Sequence, residues 1–97
     1  MAIRRGSLHL GRAAYARHFD GLQAVVLLRD GPDLLVLPVR HAAAGGYVLK
    51  LRNSAGDRVV AAADFFRANG IADEEARELS ARWDEQHAAL RAASAFD

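Results

Sequence analysis

Across residues 6–39, GSLHLGRAAYARHFDGLQAVVLLRDGPDLLVLPV, apolar positions first alternate with polar ones, then take a helical spacing, then alternate again on both sides of a tight turn. A period of two marks a strand and one near 3.6 a helix. Residues 7–10 put Leu8 and Leu10 on one face and Ser7 and His9 on the other. Gly11 breaks that strand. Residues 12–19 then bring Ala14, Tyr15, His18 and Phe19 to one side of a two-turn helix, with Asp20-Gly21 as its stop. Residues 22–28 form a near-continuous apolar run, which implies a strand buried on both faces. Asp30-Gly31 is a hairpin signal, and residues 34–39 return with Pro38 near the end, as suits an edge or a strand terminus.

The glycines of HAAAGG, residues 41–46, mark a sub-boundary. Residues 47–52 alternate, residues 53–57 turn, and residues 58–62 return as a strand. Asp64 is placed to cap a helix over 65–69 that Gly70 stops. Asp73 then caps the longest helix. Glu74 and Glu75 stand in its first turn, where the helix dipole favours acids, and Glu78 precedes Arg82 by four. Ala76, Leu79, Trp83, His87 and Leu90 make its apolar stripe. Residues 1–5 read as a loose arm and 91–97 as a fraying end.

The fold expected is α+β: a small β-barrel or curved antiparallel sheet built from two hairpins with short helices, plus a C-terminal α-helix. Its β-rich barrel-like domain spans 1–72, and 73–97 is the amphipathic helix. One echo cuts across this division. The order strand, break, short helix with an aromatic occurs at residue 7 and again at residue 58. Two such units would build one closed barrel.

The chain has 97 residues, enough for one small domain with a modest core that oligomerisation would help. It is 52% hydrophobic and contains no Cys, which excludes disulfides, thiolate metal sites and cysteine nucleophiles. MAIRRGSLHL lacks the long apolar run of a signal peptide, and no segment approaches the roughly 20 apolar residues of a membrane span. A soluble cytoplasmic protein without membrane contact is expected.

Charge is unevenly spread. Residues 1–58 hold nine basic and four acidic side chains, a balance of +5, and residues 59–97 hold four and eight, a balance of −4. Either the first part offers a basic face to nucleic acid, or its charge is ordinary solvated charge. Arg4, Arg5, Arg12 and Arg17 lie close together in sequence, and arginine forks suit phosphates and guanine edges. These four are the candidate DNA-binding residues.

No catalytic pattern stands beside them. The four histidines, His9, His18, His41 and His87, include no i, i+4 pair, so no metal site is expected. Thr is absent, and none of the four serines sits in a nucleophile elbow. Gly45-Gly46 lacks the spacing and following Lys of a phosphate loop. The expectation is a non-enzyme with no catalytic residue and no cofactor. Leu79, Trp83 and Leu90 are the candidate interface, serving the chain's own core, a partner helix or a second subunit.

Residues 6–39 resemble the swapped-hairpin β-barrel unit of the AbrB/MazE/MraZ group of bacterial transition-state regulators, antitoxins and cell-division regulators. Gly6-Ser7 stands at the group's Gly-Arg, Leu8-His9-Leu10 at its strand and Gly11 at its Pro. Residues 12–19 stand at its helix, and residues 24–28, Asp30-Gly31 and residues 34–38 complete the order. The resemblance implies an intertwined dimer with DNA contacts from the N-terminal arm and first loop, carried here by Arg4, Arg5 and Arg12. Two functions follow as expectations. One is a homodimeric DNA-binding regulator or antitoxin-like module with a basic N-terminal face. The other is a non-enzymatic accessory or assembly protein that docks on an enzyme or larger complex through its C-terminal helix.

Overall fold

The computed structural model describes residues 1–42 and 45–97. Among the described residues, ten strands and two short helices follow one another, and their order is the same in each half. The first half runs β1 (Ala2–Arg4), β2 (Ser7–Leu10), α1 (Arg12–His18), β3 (Ala24–Asp30) and β4 (Asp33–Val39). The second runs β5 (Tyr47–Val48) and β6 (Lys50–Leu51), β7 (Arg58–Ala61), α2 (Ala63–Ala68), β8 (Ala76–Glu78) and β9 (Ala81–Asp84), and β10 (Ala89–Ala92). Where the first half has one strand, the second twice has a bent pair.

The halves are interlocked. One antiparallel sheet has the order β6-β7-β2-β1-β8 and the other β5-β3-β4-β10-β9. At the centre of each sheet, equivalent strands meet: β2 against β7, and β4 against β10. At the flanks, each half pairs its first strand with the third of the other, β1 with β8 and β5 with β3. The pairing pattern is thus unchanged when the two halves are exchanged. The echo between residues 7 and 58 is the local trace of this arrangement.

The two sheets are not a closed barrel. Their ladders break at two corners, where a strand leaves one sheet and enters the other. Leu49 makes one corner and donates its N–H to the carbonyl of Gln23 at 2.8 Å; Leu79 makes the other and donates to Met1 at 2.8 Å. Between the sheets lies one core, to which Ile3, Leu8, Val25, Val36, Phe66 and Leu90 contribute. Phe19 and Phe66, each fully buried, close the two helices onto it.

Local chemistry explains the tight joints. Arg4 and Ser7 pair across a two-residue turn in which Arg5 and Gly6 both have positive φ, 50° and 74°. That is the primed geometry that matches strand twist. At α2 the end is a Schellman cap: Gly70 at φ 86° donates to Arg67, and Ile71 donates to Phe66 at 2.9 Å. The cap drops Ile71 into the core beside Phe66.

Two expectations are corrected. Residues 1–5 are not a loose arm, because β1 lies between β2 and β8 with Ile3 fully buried. Residues 73–97 are not a C-terminal helix appended to a domain ending at 72, but strands β8, β9 and β10 built into both sheets. Helix propensity is a weak preference that tertiary pairing overrides. Here β4 needs a partner for its second edge, and β10 supplies it while burying Ala89, Leu90 and Ala92. The stripe is dispersed accordingly: His87 sits in the β9–β10 turn and Ala76 is exposed. The expected sub-boundary at 41–46 includes Ala43 and Ala44, which lie outside the described residues. No helix is long and apolar enough to cross a membrane among the described residues.

Candidate nucleic-acid interface

The outer face of the first sheet is set by strand alternation. Leu8 and Val60 pair inward, so their neighbours His9 and Val59 pair outward. On the same outward row stand Lys50 of β6, Ala2 of β1 and Glu78 of β8. Arg4 projects one row along. Towards the start of α1 this face deepens into an open hollow of about 200 Å³, lined by Arg4, His9, Arg52, Asp57, Arg58 and Glu78 together with Met1, Ala2, Leu10 and Gly11.

Each cation is held differently. Arg4 donates to Glu78 Oε1 at 2.6 Å, with both side chains well exposed, so the pair is weak and open to exchange. Arg58 lies over the Tyr15 ring at 3.9 Å and donates to the Gly56 carbonyl at 2.8 Å, which fixes its guanidinium plane. Arg52 is exposed, and its N–H donates to the Asp57 carbonyl at 2.8 Å. His9 sits among them, partly buried, and its Nδ1 has no hydrogen-bond partner among the described residues. Burial, and behind it the charges of Arg52 and Arg4, hold the His9 imidazole below its ordinary pKa, so it is neutral near pH 7.

Asp57 organises the rim. Its Oδ1 accepts the N–H of Arg12 at 2.9 Å and so caps α1, whose own N-cap residue is the side-chain-less Gly11. Its Oδ2 accepts from the Asn53 amide at 3.0 Å. The bond from Asn53 and then that from Arg12 hold its carboxyl below the ordinary carboxylate range. One ionised side chain thus fixes the 53–57 turn and the first turn of α1 at once.

The four arginines expected to bind DNA are not brought together. Arg4 lines the hollow, and Arg12 flanks it with its methylenes against Gly56. Arg5 is exposed on the β1–β2 turn. Arg17 lines a separate groove with His18, Ala13 and Ala14. Arg52, Arg58 and His9 were missed as a set. The available signal was that Lys50, Arg52 and Arg58 all belong to one hairpin, which antiparallel pairing brings beside the strand of His9.

Of the readings given to Leu79, Trp83 and Leu90, the structure shows packing with the chain's own core. Leu90 is 3% exposed, a core residue of β10. Trp83 is its cross-strand neighbour on β9 and closes the sandwich by stacking on His18, ring centroids 4.8 Å apart and planes within 5°. Leu79 is packed at its corner against the core. Leu90 and Trp83 share one side of the β9–β10 pair, the side that faces the core.

A second charged cluster lies at the far end of the second sheet. Arg91 donates to Asp84 at 2.9 Å, Asp33 at 2.8 Å and Asp30 at 2.9 Å. His87 Nδ1 lies 2.9 Å from Asp84 Oδ2. The guanidinium occupies the place where these carboxylates converge, so the cluster is a cross-link between two turns. Comparison of the chain with protein-family models, with curated proteins and with solved structures finds no match in any of the three.

Proposed function

We propose that the chain is a nucleic-acid-binding module of the DNA-binding regulator class, which holds a phosphate backbone on the outer face of its first sheet. The observation that carries this reading is the meeting of Arg4, Arg52 and Arg58 with His9 around one hollow. Arginine forks bind phosphate oxygens in pairs. Arg58 is pre-oriented by Tyr15, Arg4 is released from Glu78 at little cost, and neutral His9 offers a ring N–H. The interlocked halves support the same reading. The resemblance to the AbrB/MazE/MraZ group implies an intertwined dimer of such units, and here two strand–strand–helix–strand–strand units interlock within one chain.

The test is fluorescence anisotropy with a labelled random duplex over a range of salt. Affinity is expected to fall linearly in log–log form as salt rises, and the double variant R4A/R52A is expected to lower that slope by about two. Absence of binding at low salt, or binding unchanged in the double variant, overturns the reading. The accessory-protein alternative supposed a C-terminal helix, where the chain has strands β8, β9 and β10.

A further inference from the structure

His9 shares the hollow with cations, and no carboxylate is paired with its ring among the described residues. On β2 it faces Ala2 of β1 and Val59 of β7, and Lys50 of β6 continues that row. Arg4 reaches the hollow from β1, Arg52 from the residue after β6 and Arg58 from β7. The two carboxylates that line it are engaged elsewhere. Glu78 of β8 takes Arg4 at 2.6 Å, and Asp57 takes the Asn53 amide and the N–H of Arg12. The His9 Nδ1 is enclosed and has no hydrogen-bond partner among the described residues. An imidazolium placed here meets like charge with no acceptor to offset it. Burial first, and then the charges of Arg52 and Arg4, accordingly keep the ring neutral in the free chain. A phosphate in the hollow removes the second cause. It offsets the arginines, and its anionic oxygens accept charge-assisted bonds from a protonated ring.

We propose that His9 takes up a proton when a nucleic-acid phosphate enters the hollow, so that binding at this site strengthens as pH falls. The proposal rests on the nucleic-acid reading of the hollow and adds to it a regulation by pH. A neutral imidazole offers one N–H, whereas the imidazolium offers two and a charge. Linkage makes the effect reciprocal: a phosphate that favours the protonated ring is itself bound more tightly by it. Well above the bound-state pKa the ring is neutral in both states and the gain is absent. Below the free-state pKa it is charged in both and the gain is complete. Each unit by which the phosphate raises the pKa gives up to about tenfold in affinity. His18 is the contrast within the same chain. Its ring stacks on Trp83 beside a separate groove, away from the residues that line the hollow.

Fluorescence anisotropy of the full chain with a labelled random duplex, at fixed ionic strength between about pH 8 and about pH 5.5, tests it, with circular dichroism on every sample. The wild type is expected to bind at least about threefold tighter at the acid end, with a salt slope steeper by up to about one. His9→Gln is expected to lose most of that pH dependence, and His18→Gln to keep it. Nuclear magnetic resonance titration of the wild type gives a readout that needs no variant: the His9 imidazole is expected to titrate at higher pH with the duplex bound than without it. Affinity equal at both ends of the range, a His9 imidazole that the duplex does not move, or a gain that survives in His9→Gln overturns the proposal and leaves the phosphate-binding reading standing. Absence of binding at every pH overturns both.

Discussion

Arg91 donates to Asp33 at 2.8 Å across 58 residues of sequence, and so ties the β9–β10 hairpin to the β3–β4 turn. Asp33 in turn accepts the N–H of Ser94 at 2.9 Å, which anchors the segment that follows β10. Replacing Arg91 by Ala leaves three carboxylates facing one another without their shared cation. The variant is expected to melt several degrees below wild type by circular dichroism. Arg91→Lys is expected to restore only part of the loss, because an ammonium lacks the planar fork that reaches three carboxylates at once.

The same contact gives an acid limb to stability. Its hydrogen bond with Arg91 holds Asp84 down at about 2, and the bonds to Ser94 and Arg91 hold Asp33 below the ordinary range. Carboxylates depressed in the folded state contribute stability that is fully present above their unfolded pKa and is lost as pH falls through the folded value. Melting temperature is therefore expected to be flat above about pH 5 and to drop steadily below pH 4. In Arg91→Ala that drop should be much shallower.

The imidazoles give a second, milder limb. Burial first, and then neighbouring arginines, lower the pKa of both His9 and His18. The unfolded chain then binds more protons than the folded one between the folded value and 6.5. Stability rises with pH across that window and is complete above it. Nuclear magnetic resonance titration should place both imidazoles below the reference, and His9→Gln should remove one part of the limb. Trp83 gives an optical check, since its stacked partner His18 quenches it when protonated. Its fluorescence should fall at a pH below 6.5 and lose that step in His18→Gln.

Gly6 is expected to resist substitution for two separable reasons. Its φ is 74°, and a Cβ there would stand 2.6 Å from the Cβ of Ala63. Gly6→Ala should cost on the order of 1–3 kcal/mol in chemical denaturation. Ala63→Gly in the same chain should recover the clash but not the backbone strain, so a partial rescue distinguishes the two.

Phe66 closes α2 onto the core with no exposed surface. Phe66→Ala should cost about 3–5 kcal/mol. Leu51→Ala, on a side chain 63% exposed, should change stability little.

Where local patterns and tertiary pairing agreed, the strands and helices were legible. Alternation in SLHL, the strands on either side of Asp30-Gly31 and the Gly70 stop of α2 all match the structure, whereas the run 22–28 is not buried on both faces, since Leu28 is 46% exposed. β10 was not legible. ALRA in an alanine- and glutamate-rich context has helical propensity, and its strand state depends on β4, which is distant in sequence. β1 failed for a related reason: Arg5-Gly6 carries no common turn signature, yet both residues take positive φ. At the candidate site, sequence proximity misled. Arg17 is near Arg12 in the chain but serves another groove, whereas Arg52 reaches His9 only through the β6–β7–β2 ladder.

The cross-pairing of the halves bears on how the chain is made. A ribosome delivers β3 and β4 well before β10 and the bent β8–β9 strand, which lie more than 35 residues further along the chain. Neither sheet acquires its full order until then, because β1 awaits β8 and β4 awaits β10. The nascent hairpin must therefore wait with its edge open, a state prone to wrong partners. Folding is expected to be slow for so small a fold, since distant pairings dominate it.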